Sequence, residues 1–156
     1  MKEFWNKLKT ANEEKWKALS IRQPWAWLIV NGIKDVENRS WKPGLSFKKE
    51  GIELPIKLLI HASRTIDMYG GIDWEFISFN LTKEQREQLL IVMDNGIDGF
   101  QFGGIVGVVD LVGFSKKHES VWADPHFTHW ILENAKPLPF KACKGKLGLF
   151  EVEYDL

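Results

Sequence analysis

Apolar positions along this chain come in short bursts, some with the two-residue period of a strand and some with the tighter spacing of a helix. Leu19-Ser20-Ile21-Arg22-Gln23 reads as a short strand, Pro24 suits the first position of a helix, and Trp25 to Val30 supplies one or two apolar turns ended by Asn31-Gly32. The chain then turns extended from Val36 to Trp41. Successive side chains of a strand alternate faces, so Glu37, Arg39 and Trp41 share one side while Val36 and Asn38 take the other. Pro55 precedes an apolar strand over Ile56 to Ile60, and Ile105 to Phe114, with valines at 106, 108, 109 and 112, reads as a long one. The clearest helix opens at the capping box Thr82-x-x-Gln85, carries Leu81, Leu89, Leu90 and Met93 near one face, and ends at Asp94-Asn95-Gly96. In the last third, Thr128 to Leu132 and Leu147 to Tyr154 read as strands, while Pro137 and Pro139 keep Leu138 at an edge or in a turn.

The remaining segments are less regular. Phe4, Trp5 and Leu8 have helical spacing, roughly continued by Trp16, which predicts a helix over Met1 to Lys17 and an N-terminal extension over residues 1–18. Pro43-Gly44 opens a loop with Lys42, Lys48 and Lys49, either a basic lip or an ordinary solvated surface. A short helix is expected near Asp73. Gly99 to Gly104 follows no phosphate-loop pattern and is read as a hairpin or bulge. Several short strands with local helices define an α+β chain built as a small mixed β-barrel with peripheral helices.

Composition narrows the function. At 156 residues and 44% hydrophobic content the chain fits one domain with a sizeable core. Lysine plus arginine total 21, as do aspartate plus glutamate, so any attraction to nucleic acid has to come from a local patch. Cys143 is the only cysteine, which excludes an internal disulfide; Lys141 and Lys144 beside it can acidify the thiol, although an incidental cysteine is the commoner case. No stretch approaches a membrane span or the apolar core of a signal peptide, giving the expectation of a soluble, cytoplasmic protein. The four histidines lack zinc-ligand spacing, and His126 and His129 face opposite sides if extended, so neither metal nor cofactor is expected.

The densest chemistry lies in Gly32-Ile33-Lys34-Asp35-Val36-Glu37-Asn38-Arg39. A surface turn with an ion pair is the bland reading, and such pairs stabilise little. Its setting between Gln23-Pro24-Trp25-Ala26-Trp27 and Trp41 argues otherwise, because indoles around charges make a poor solvated face and a good ligand wall. Trp5, Trp16, Trp74, Trp122 and Trp130 are assigned to packing.

These segments carry a resemblance. Leu19 to Ala26 followed by Gly32-x-Lys34-x-x-Glu37-x-Arg39-x-Trp41 resembles the ASCH domain, a relative of PUA domains, and so do Leu58-Leu59-Ile60-His61-Ala62-Ser63, Gly104 to Asp110, Trp130 to Asn134 and Lys144-Gly145-x-x-Gly148-Leu149-Phe150. The resemblance implies a PUA-like pseudobarrel over residues 19–156 whose cleft holds RNA, single-stranded nucleic acid or one nucleotide from it. In that reading Trp25, Trp27 or Trp41 stacks on a base, Lys34 and Arg39 contact phosphate or a base edge, and Gln23, Glu37 and Asn134 bond a Watson–Crick edge, with Ser63 and Lys144 further ligand contacts. Lys141, Lys144 and Lys146 form a phosphate track or merely a solvated strand end.

Some relatives resemble hydrolases: an amidohydrolase acting on a modified nucleoside, in which a threonine stands where this chain has Glu37, or a ribonuclease, in which Lys34, Glu37 or His61 serves catalysis. A carboxylate supplies no hydroxyl nucleophile, leaving Ser40 or Ser63 as replacements, and a neighbouring carboxylate favours a protonated Lys34. His61 sits on an apolar strand, where a structural histidine is commoner. A protein-interaction module is the third class, and the oligomeric state stays open.

Overall fold

In the computed structural model, residues 14–67, 73–95 and 99–156 are described. They form six strands and four helices in the order β1 (Glu14–Gln23), α1 (Trp25–Val30), β2 (Val36–Arg39), α2 (Leu45–Glu50), β3 (Ile56–Ile66), α3 (Trp74–Phe79), α4 (Lys83–Asp94), β4 (Gly104–Ser115), β5 (Thr128–Ala142) and β6 (Leu149–Tyr154). All six strands join one sheet, ordered β2-β5-β4-β3-β1-β6. Only the β1–β3 pair is parallel; the other ladders are antiparallel.

The α+β class holds, and the closed barrel does not, because no ladder joins β2 to β6. The sheet nevertheless curls. Tyr154 Oη on β6 donates to the Pro139 carbonyl on β5 at 2.6 Å, and Lys141 Nζ on β5 donates to the Glu153 carbonyl at 2.5 Å. Residues Thr128 to Ile131 of β5 pair with β2, whereas the rest pairs with β4 alone. Pro137 and Pro139 fall in that second half, where one edge has no neighbouring strand and missing backbone donors are tolerated.

The sheet's centre explains its uninterrupted apolar runs. Leu58 and Ile60 face one cluster with Ile29, Val109 and Trp130, while Leu59 faces a second with Ala18, Ile105 and Phe150. A strand covered on both faces has no solvent side to mark with polar residues. A third cluster packs Leu28 and Val36 against Ile77, Leu81, Leu89, Phe100 and Trp122, tying α1 to α3 and α4.

Several local expectations change. Residues 14–17 are strand rather than helix, and the rest of the expected N-terminal helix lies outside the described residues. Trp16 stands opposite Val152, and Lys17 bridges Glu50 at 2.8 Å and Glu151 at 3.5 Å. The expected loop after Gly44 is α2, which buries Phe47. The capping box is present, with Thr82 and Gln85 bonding each other's backbone N–H at 3.2 and 2.9 Å. Of the residues assigned to that helix's apolar face, Leu81 and Leu89 are buried; Leu90 and Met93 are exposed.

Candidate functional site

A cleft of about 1470 Å³ opens where the C-terminal ends of β1 and β3 meet β2. The parallel β1–β3 pairing brings Arg22 and Arg64 to one rim although they lie far apart in sequence. The β5–β6 connection adds Lys144 and Lys146, and Lys34 and Arg39 also line the cleft. These six basic residues outnumber the three acidic ones in the lining, Glu37, Asp67 and Asp124. A chain with no net charge therefore concentrates positive charge in one place.

Glu37 and Arg39 share a side as the alternation predicted, and Lys34 from the preceding turn lines the same cleft. Glu37 is 8% exposed, and its Oε1 lies 3.9 Å from Arg39 Nε, a loose pair. Arg39 Nη2 donates to the Ser20 carbonyl at 2.8 Å. Two buried atoms of this pair, Glu37 Oε2 and Arg39 Nε, have no hydrogen-bond partner. Unsatisfied buried polar atoms typically cost about 1–3 kcal/mol each, more when charged. Lys34 is 5% exposed; its Nζ donates to the Val36 carbonyl at 2.5 Å and lies 5.7 Å from the Trp25 ring centroid. Burial pushes the Lys34 ammonium below the ordinary lysine range; attraction to Glu37 opposes this, Arg39 adds to it, and Asp35 opposes it. Desolvation thus wins over the carboxylate that was expected to keep the lysine protonated.

Trp25 lines the cleft, its Nε1 bonded to Asp67 Oδ2 at 3.3 Å. Ser63 and Lys144 also line it; the Ser63 hydroxyl turns to the Thr65 carbonyl at 3.3 Å. His61 reaches the wall but is 2% exposed and held at both nitrogens, by Ser20 Oγ at 3.0 Å and the Cys143 carbonyl at 2.8 Å. A carbonyl only accepts, so Nε2 carries the hydrogen and Nδ1 receives the serine's. Ser20 and His61 are partners across the β1–β3 ladder, and the bond ties those strands. Both ring nitrogens are thus engaged within the protein.

Four sequence-derived candidates lie elsewhere. Gln23 is a structural residue, 2% exposed: its Oε1 accepts the Trp27 N–H at 2.9 Å and its Nε2 donates to the Gln101 carbonyl at 2.9 Å. Trp27 packs in the third core cluster. Asn134 adopts a left-handed φ of 51° among the β4–β5 bulges and donates to Asp110 Oδ2 at 2.9 Å, a bond that leads the downward shift of that carboxyl's pKa. Trp41 follows the end of β2, so the alternation no longer governs it. It lines a separate cavity of about 300 Å³, edge-on to Trp130 at 5.0 Å. Neither Ser40 nor Lys42, Lys48, Lys49 or Lys141 lines the main cleft. Burial raises the Cys143 thiol's pKa, against the acidification its lysine neighbours implied.

Sequence reasoning missed Arg22, Arg64, Asp67, Asn38 and the loop from Val121 to Phe127. Asn38 fastens that loop. Its Nδ2 donates to the Trp122 carbonyl and its Oδ1 accepts the Asp124 N–H, both at 3.0 Å. Ser120 Oγ bonds Asp35 Oδ1, and His129 Nε2 donates to the Asp124 carbonyl at 2.6 Å. Among the described residues no three histidine, cysteine or acidic side chains gather as metal ligands, and no helix is long and apolar enough to cross a membrane.

The described residues form a mixed α+β domain around one six-stranded sheet, with a cleft that carries more basic than acidic side chains. The family model for the ASCH domain matches residues 19–138, and the chain belongs to that family. ASCH domains are generally associated with binding RNA or other nucleic acid.

Proposed function

We propose that the cleft binds single-stranded nucleic acid, RNA foremost, and takes one nucleotide into the pocket formed by Trp25, Lys34, Glu37 and Arg39. The carrying observation is the pair of buried atoms without partners, Glu37 Oε2 and Arg39 Nε, at a cleft richer in basic than acidic side chains. One is an acceptor and the other a donor. A nucleobase edge carries both complements side by side, so one base answers both groups. The Trp25 ring supplies a face for stacking, worth about 1–3 kcal/mol per base. Phosphates then lie against the exposed Arg22, Arg64, Lys144 and Lys146, none of which has an ion-pair partner among the described residues.

The test is a mobility shift with labelled single-stranded RNA, single-stranded DNA and duplex, with product analysis on RNA and on acylated and methylated nucleosides. Single strands are expected to bind, with affinity falling as salt rises. Absence of binding to every single strand at low salt refutes the proposal. Product formed by the native protein and lost in Lys34→Ala and Glu37→Ala transfers the pocket to the hydrolase class.

A further inference from the structure

Beside the basic rim the cleft has an apolar lip: Phe76 of α3, Val121 and Phe127 line the cleft and are 42%, 58% and 40% exposed. Large exposed apolar side chains lining one charged cleft differ from the scattered surface leucines of any protein. The lip is also firmly held. Phe76 meets the buried Trp122 ring edge-on at 5.8 Å, and Asn38, Asp35 and His129 fasten the loop that carries Val121 and Phe127. A rigid exposed ring loses little freedom when a ligand stacks on it.

We infer that this lip is a second subsite, on which the base neighbouring the pocketed nucleotide stacks, so that a single strand lies along the cleft with phosphates towards Arg22, Arg64, Lys144 and Lys146 and bases towards Phe76 and Phe127. The inference rests on the nucleotide-binding reading above and adds to it a strand orientation and residues outside the pocket. Charge selects this occupant. An apolar peptide has no use for four cations without ion-pair partners in the same cleft, whereas a single strand carries a charged edge and a stacking edge on opposite sides. Duplex is disfavoured, since its bases already stack on one another.

The experiment is fluorescence anisotropy with a labelled RNA octamer and with a mononucleotide, across a salt series, on native protein and on Phe76→Ala, Phe127→Ala, Phe127→Leu and Lys146→Ala. Each phenylalanine-to-alanine change is expected to weaken octamer binding about 5- to 150-fold at every salt concentration, without changing the salt slope or mononucleotide affinity. Phe127→Leu keeps apolar bulk without a π face and is expected to lose most of the same affinity. Lys146→Ala is expected to reduce the salt slope by about 0.7. Thermal melts confirm folding of these surface variants. Octamer affinity unchanged in both alanine variants, or equal losses for octamer and mononucleotide, overturns the lip while leaving the pocket standing. If the native protein binds neither probe, the pocket reading fails and takes the lip with it.

Discussion

Replacing Glu37 and Arg39 together with methionine is expected to stabilise the protein while abolishing nucleic-acid binding. Two buried atoms of the native pair, Glu37 Oε2 and Arg39 Nε, lack partners, and at about 1–3 kcal/mol each their removal relieves on the order of 4 kcal/mol. The variant also loses the Arg39–Ser20 bond of 2.8 Å, a charge-assisted bond worth about 1.5–3 kcal/mol. The Glu37–Arg39 attraction itself contributes little at 3.9 Å, and the two side chains act on Lys34 with opposite signs, so that cation sees partial cancellation. The net expectation is a gain of about 2 kcal/mol, in line with buried ion pairs replaced by apolar residues of similar volume. Glu37→Met alone is expected to destabilise, by less than the roughly 3–5 kcal/mol of a fully buried pair, since it removes the one carboxylate paired with a guanidinium whose side chain is 27% exposed. Urea denaturation with linear extrapolation measures all three proteins, and oligonucleotide anisotropy accompanies it. A double variant more than about 1 kcal/mol less stable than the native protein, or one that still binds single strands, refutes the claim that these atoms are kept unpaired for a ligand.

Three further outcomes are expected. Burial lowers the Lys34 pKa, so between its folded value and the ordinary lysine value of 10.5 the unfolded chain binds more protons and native stability rises with pH; the advantage of Lys34→Met should be largest below that window and shrink towards pH 10. Urea melts of both proteins at neutral and alkaline pH check this, and a pH-independent gap contradicts it. In Gly145→Ala, the added Cβ would stand 2.8 Å from His61 Cε1 and 3.0 Å from Ser20 Oγ; because His61 is fixed at both nitrogens the loop has to yield, with a loss of about 1–3 kcal/mol and weaker octamer binding through displaced Lys144 and Lys146. Thr82→Ala removes one half of the capping box and should lower stability by about 1 kcal/mol with oligonucleotide affinity unchanged, a control that separates stability from the site.

What the sequence revealed and what it concealed divide by the range of the interactions involved. Glu37 and Arg39 were legible as neighbours because strand alternation is a local rule, and the Thr82 capping box because its two bonds span four residues. Residues 14–17 were misread because their strand state depends on Val152, Glu50 and Glu151, partners that no local period announces. Asn134 looked like a base-reading amide, yet its role comes from a bulge set by the uneven register between β4 and β5. Of the basic rim, Lys144 and Lys146 were legible and Arg22 and Arg64 were hidden for the same reason: they sit on strands whose parallel pairing is fixed by the fold, and neither stands in a charged run.

Strand β2 shows how four consecutive residues divide the work of the site. Val36 is fully buried in the cluster that joins α1 to α3 and α4; Glu37 and Arg39 present the unpaired acceptor and donor, and Asn38 spends both ends of its amide on the loop that carries Val121 and Phe127. Being an edge strand, β2 has a ladder on one side only, with β5, which leaves room for the cleft and its lip on the other. The core thus fixes the angle of the strand through Val36, and the strand in turn fixes pocket and lip relative to each other. Disturbing Asn38 should therefore separate the two subsites in function without unfolding either, because the hydrogen bonds it makes join them and belong to neither one's core.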